Sequence, residues 1–237
     1  LGLEPAAVAL LPSKARQAMV SYLVRWGYDV DALACLQAIL EARGPQVTIY
    51  DELAHLYLQM GEGHRAQEIM RLRHKLKRCH SSAALEARTH LAAGDLAAAQ
   101  AISQALTAEA PDYLLTWSLH LDVCLAGGDL AGAEAALARA EALHRESAAT
   151  AQGYARLWAA QGDTEKALPW ARTAASRANR DDRRPSLDLL RLLEALHRAS
   201  GQTAQAEAIT AELRARREAE WETVRVALGA LPCPAAV

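Results

Sequence analysis

The chain has 237 residues, of which 51% are hydrophobic, with 26 Lys and Arg against 28 Asp and Glu for a formal net charge of −2. That is enough apolar material for one or two domains, and the balance argues against a generally basic nucleic-acid binder while leaving room for local patches. With 54 Ala and 36 Leu, no Phe and only 8 Pro, a sheet-rich fold is nearly excluded, and no apolar run reaches the roughly 18 residues of a membrane helix.

Residues 1–12 read as a lead-in. Leu1 to Leu11 is mildly apolar but lacks a basic start and a long apolar centre, so it is not read as a signal peptide. A first residue other than Met points to a processed product or a piece of something longer. From residue 13 the chain repeats. Gly27, Gly61, Gly94, Gly128, Gly162 and Gly201 stand at intervals of 34, 33, 34, 34 and 39. Five residues after each is an alanine: Ala32, Ala66, Ala99, Ala133, Ala167 and Ala206. The repeats are 13–46, 47–79, 80–113, 114–147, 148–181 and 187–220.

Each repeat predicts two helices. A helix-period apolar pattern, such as Tyr50, Leu53, Ala54, Tyr57 and Leu58, runs up to the glycine. The glycine ends that helix, because a left-handed residue is cheapest without a Cβ. Asp95, Asp129 and Asp163 follow their glycines and cap the second helix. The alanine on its first turns lets the two helices approach closely. Pro45 and Pro111 stop second helices. Pro169 is expected to kink its helix or to sit in the first turn. The five extra residues before the last repeat fall in the polar connector RANRDDRRPSLD (177–188), predicted as a loop insertion. After Ala206 the stripe Ile209, Leu213, Trp221, Val224, Leu228 predicts one long final helix. Its polar face suits a solubilising cap on an open-ended array. Residues 221–237 are its end and a frayed tail.

The stretches YDELAHLYLQMGEGHRAQEIM (50–70), LLTWSLHLDVCLAGGDLAGAEAAL (114–137) and ATAQGYARLWAAQGDTEKALPWA (149–171) resemble the tetratricopeptide repeat (TPR). The family's large first-helix residue matches Tyr50 and Trp117, and its small one Ala54, Ala87 and Ala155. Val20, Leu121 and Glu194 hold the small position elsewhere, and Glu86 replaces an expected leucine. The resemblance spans about residues 13–220. It implies an all-α, right-handed superhelical solenoid of about six antiparallel helix pairs with a C-terminal capping helix.

No GxSxG, HExxH, P-loop or Rossmann fingerprint occurs, and no enzymatic activity, cofactor or metal is expected. His74, Cys79 and His80 in HKLKRCH (74–80) match no zinc spacing and read as a polar helix end and loop. His90 and His197 share one register place and read as packing positions. Cys35 and Cys124 read as small core residues. Cysteine usage favours a reducing compartment, hence the cytoplasm, or the periplasm if a signal peptide has been removed. The alanine bias suggests a GC-rich bacterial source.

Arg65, Arg71, Arg73, Lys75, Lys77 and Arg78 form a basic cluster relieved only by Glu68. Cations toward a helix C-terminus complement its dipole, and the alternative is a patch for an acidic partner or a phosphate backbone. The TPR resemblance implies a concave groove lined by first-helix residues one turn apart. Here these are Lys14, Gln17, Ser21, Arg25, Asp51, His55, Arg88, Asp122, Gln152, Arg156, Arg191 and Arg198. Arginine dominates the later repeats and pairs with carboxylates in fork geometry. The expected function is a non-enzymatic scaffold binding an acidic or mixed-charge protein segment. The alternatives are a regulatory or targeting module of a larger machine (secretion, pilus or exopolysaccharide assembly, or the appendage of a nucleic-acid enzyme) and direct nucleic-acid binding through 65–78.

Overall fold

The computed structural model describes residues 4–180 and 184–228. The tail LPCPAAV with Cys233, and residues 181–183 of the connector, lie outside the described residues. The turn glycines organise the rest. All six have positive φ, from 71° at Gly201 to 81° at Gly94. After each, the next amide donates to a carbonyl five residues back at 2.8–2.9 Å, as from Glu62 to Tyr57 and from Asp129 to Cys124. This bond closes the end of a helix around a left-handed residue. The six alanines that follow are 0–2% exposed.

The described residues are helical or in turns. The helices are α1 (Pro5–Leu10), α2 (Ser13–Arg25), α3 (Asp29–Arg43), α4 (Val47–Gln59), α5 (Gly63–Leu76), α6 (His80–Ala92), α7 (Leu96–Glu109), α8 (Leu114–Ala126), α9 (Leu130–Leu143), α10 (Ala148–Ala160), α11 (Thr164–Arg180), α12 (Leu187–Ala199) and α13 (Thr203–Leu228). The protein is an all-α helical repeat. Leu96–Ala215 forms one compact unit; the residues up to Asp95, together with those from Arg216 on, form the other.

In the first unit α2 packs on α3 and α4 on α5, while α5 and α4 both touch α6. The core there is built from large residues, including Met19, Leu23, Leu36, Ile39 and Tyr50. Gly63, unnoticed in the sequence, opens α5 where a Cβ would stand 2.4 Å from the backbone of Ala93. In the second unit α7 packs on α8, α8 on α9, and α10 on α11. Its interior mixes alanine with leucine: Ala151, Ala155, Ala167, Ala171 and Ala174 share one cluster with Leu168, Leu189, Leu193 and Leu196. Asp129 caps α9 by accepting from Gly132 N at 2.9 Å, and Asp163 accepts from Lys166 N at 3.0 Å. Asp95 instead meets His90 Nδ1 at 3.0 Å.

One sequence expectation is corrected, the loop from residue 177, and two others gain detail. The lead-in contains α1, whose Val8 and Ala9 are buried and which packs on α3. The connector is not loop from residue 177: α11 continues to Arg180. Ala174 and Ala178 extend its buried stripe by another turn, and Arg177 donates to the Ser147 carbonyl at 3.3 Å. The final helix α13 runs to Leu228, as the apolar stripe after Ala206 predicts. Trp221 and Val224 are buried in the first unit's core beside Tyr22, an arrangement that stabilises by about 1.5–3 kcal/mol for the valine alone. Pro169 lies in the second turn of α11, and the helix runs through it.

Candidate protein-binding surfaces

The first helices place the expected groove residues as follows. On α2, Lys14 and Gln17 are exposed, and Ser21 donates to Glu52 Oε1 of α4 at 3.4 Å. Burial pushes the Glu52 carboxyl above its ordinary range, against the Ser21 bond and the Arg25 charge. Arg25 is held by Glu220 of α13 at 3.1 Å. On α4, Asp51 turns to Arg73 of α5, at 2.8 Å from Nε and 3.3 Å from Nη2. On α6, Arg88 is half-buried, and its charge helps to lower the pKa of His55 beyond the effect of desolvation.

In the second unit Asp122 of α8 and Arg156 of α10 pair with each other at 2.6 Å. On α12, Arg191 faces Asp188 at 3.7 Å and Arg198 meets Glu194 at 2.7 Å. The expected arginine-lined surface is thus already engaged with the chain's own carboxylates. The three arginines are themselves 38–64% exposed, and ion pairs with exposed partners contribute little to stability. Glu194 tolerates its small-residue position because both Arg198 Nη2 and Thr210 Oγ1 donate to it at 2.7 Å.

The basic cluster is thinner in space than in sequence. Arg73 is buried, with a side chain 4% exposed, and its guanidinium also donates to the Lys77 carbonyl. It belongs to the packing of α5, not to a surface. Arg65 pairs with Glu62 at 2.7 Å and Arg78 with Glu86 at 3.3 Å. Arg71, Lys75 and Lys77 are exposed.

The histidines of the shared register place fasten the turns. His90 Nδ1 lies 3.1 Å from Gln67 Nε2 as well as near Asp95, and buried His197 Nδ1 is 2.9 Å from Gln202 Oε1. Among the described residues no group of three or more His, Cys, Asp or Glu side chains could hold a metal ion. Cys79, before the first turn of α6, is the chemically distinct thiol. The Ser81 hydroxyl, 3.2 Å from Sγ, and then the Ser82 amide and hydroxyl pull its pKa down to about 6.

A wide concavity of about 990 Å³ lies in the second unit. It opens where α9 ends and α10 and α12 begin. Among the described residues its wall carries Arg145, Arg180 and Arg184, with His144 beside them, and the carboxylate of Glu146, which meets Arg180 at 3.3 Å. Ser147 and Ser186 cap the N-termini of α10 and α12 on its wall. Helix N-termini and arginines both favour anions. Gln152, a groove position by register, lines it too. The arginines here sit in loops and at helix ends, outside the repeat register, so nothing in the period marked them.

No family model matches the sequence, and no curated protein matches it. Several solved structures are similar. A thermophilic TPR protein of Thermus thermophilus is 21% identical, with a TM-score of 0.59 over 77% of this chain and 98% of that one. PilW, a widely conserved type IV pilus biogenesis factor, is 18% identical, with a TM-score of 0.54 over 90% and 99%. A tetratricopeptide repeat protein from Parabacteroides merdae is 14% identical, with a TM-score of 0.50 over 92% and 88%. At these identities the likeness is one of fold, and the fold is that of tetratricopeptide-repeat proteins. No described helix is long and apolar enough to cross a membrane.

Proposed function

We propose that the protein is a non-enzymatic scaffold that binds an acidic or mixed-charge protein segment along the first-helix face of its second unit. The observation that carries this reading is the cavity of about 990 Å³ with Arg145, Arg180, Arg184, Glu146 and two helix N-termini among its described lining residues. A segment entering the cavity beside Gln152 would meet Arg145 and Arg184 with its carboxylate side chains. The fold's likeness to a pilus biogenesis factor supports the related reading of a module in a larger bacterial assembly. Nucleic-acid binding through 65–78 is the lesser reading, because burial of Arg73 breaks the cluster and no aromatic residues interleave with it.

The test uses a fluorescein-labelled oligoglutamate peptide and fluorescence polarisation. Binding is expected at low salt and weakens as salt rises. The Arg145→Glu/Arg184→Glu variant is expected to lose it at least about tenfold, the effect of one charged hydrogen bond. Reversal of Arg156, Arg191 and Arg198 is expected to cost less, since each is engaged within the chain. Equal binding by the parent and the Arg145/Arg184 variant refutes the proposal.

A further inference from the structure

The last turns of α13 lie on α2 and on Trp26 just beyond it. Trp221 is 3% exposed, and its ring lies against Tyr22 with centroids 5.2 Å apart. Val224, one turn on, is 5% exposed. Glu220 closes the polar edge of the contact: Oε1 accepts from Arg25 Nη1 at 3.1 Å and Oε2 from the Trp26 indole at 2.9 Å. The covering segment therefore offers a glutamate and an adjacent aromatic residue, which Arg25, Trp26 and Tyr22 answer, and a branched aliphatic residue three positions further that is buried in the same cluster.

Two observations bear on how firmly this part of the core is held. It is held at few points: from Arg216 to Ala227, only Trp221 and Val224 are buried. It is also an imperfect fit. The Trp221 indole N–H is buried without an acceptor, and a donor shut away from water without a partner is unfavourable. A helix carrying phenylalanine at that place keeps the ring contact and has no N–H to strand. The chain itself contains no Phe.

We infer that the face made by Tyr22, Arg25 and Trp26 is a docking site for an amphipathic helix of a partner protein. That helix carries a glutamate, an aromatic residue directly after it and a branched aliphatic residue three further on. Residues 216–228 are the intramolecular occupant that such a helix displaces, with the apolar face laid into a groove and the acid fixing its register. The surface is separate from the basic cavity of the second unit, so the inference stands without the function proposed above. Being tethered, residues 216–228 act at high effective concentration, so a partner must fit better than they do.

The chain's own segment is the probe. A labelled peptide of residues 216–228 is added to the full-length parent and to two full-length variants that empty the seat, Trp221→Ala/Val224→Ala and Glu220→Arg, and anisotropy is read. Both variants are expected to bind the peptide at least about tenfold more tightly than the parent does. A peptide carrying Trp221→Phe is expected to bind at least about fivefold more tightly than the native peptide, the low end of an orphaned donor's cost. A peptide carrying Glu220→Arg is expected to bind at least about tenfold more weakly. The inference is overturned by variants that keep the parent's far-UV helicity yet bind no peptide, by equal binding to parent and variants, or by a Phe peptide no better than the native one. Unfolding of both variants also overturns it, because residues 216–228 are then indispensable to the core and not a replaceable occupant.

Discussion

The two units build the same hairpin from different interiors. In the first, Met19, Tyr22, Leu23, Leu36, Tyr50 and Trp221 fill the space between helices. In the second, Ala133 and Ala136 pack between α8 and α9, and Ala151, Ala155, Ala167, Ala171 and Ala174 between α10 and α11. Helix separation follows the side chains at the crossing, so the alanine interior brings helices close and leaves no slack. Gly153 marks the limit: a Cβ there would stand 2.4 Å from Leu137 Cδ2. The units also treat charge differently. The first buries the Arg73 guanidinium against Asp51, whereas the second keeps Arg180 and Glu146 at the surface, 61% and 69% exposed. One repeat pattern thus tolerates either bulk or closeness, and each choice has its own weakness.

The charge contrast carries the largest expected effect. Arg73→Ala removes a buried cation with bonds to Asp51 and to the Lys77 carbonyl. Breaking one side of a buried pair costs about 3–5 kcal/mol. Asp51 is 32% exposed and can rehydrate, which places the loss near the lower end. Arg180→Ala is expected to cost less than about 1 kcal/mol. Urea denaturation of both variants measures the difference, and similar losses break the comparison.

The packing contrast comes next, and its two arms move in opposite directions. Leu23→Ala in the first unit leaves a cavity and is expected to cost about 2–5 kcal/mol. Ala155→Leu in the second is expected to cost about 1–3 kcal/mol by overpacking, although it adds apolar surface. A stabilising Ala155→Leu would show slack in the alanine interior and dissolve the distinction.

Much of the architecture was legible because it is local. A glycine that needs positive φ and an alanine that must let two backbones approach are single-residue demands, and both recur with the period. What was misread or left open depends on distant partners. The extra turn of α11 is held by Arg177 reaching the Ser147 carbonyl. The stripe of α13 was legible, but not its seat beside Tyr22, almost two hundred residues away in the sequence. The site residues were legible only in position. Register put Asp51, Asp122 and Arg156 on first helices, but no spacing rule says that Asp51 turns to Arg73 or that Asp122 and Arg156 engage each other. The basic cavity drew on residues between helices, where the repeat imposes nothing.

The smallest expected effect concerns reactivity and contrasts one thiol from each unit. Cys79 stands at the start of α6, where the Ser81 hydroxyl, the Ser82 amide and hydroxyl and the Arg73 guanidinium favour the thiolate and bring its pKa to about 6. Cys124 is buried in the second unit, and desolvation, then the Asp129 carboxylate, push its pKa up. Thiolate is the alkylating species. Iodoacetamide is therefore expected to modify Cys79 with a rate that rises through about pH 6 and levels off above it, while Cys124 stays unmodified until the chain is denatured. The linkage runs the same way. An unfolded thiol titrates near pH 8.5, so the contacts of the Cys79 thiolate stabilise the fold fully above that pH, and their contribution is lost as pH falls through about 6. Ser81→Ala and Arg73→Ala are both expected to move the reactivity midpoint upward, with Ser81→Ala moving it further because the hydroxyl is the larger cause. A midpoint near the ordinary thiol value in the parent, read by mass spectrometry of the Cys79 peptide, would show that these donors do not reach the sulfur.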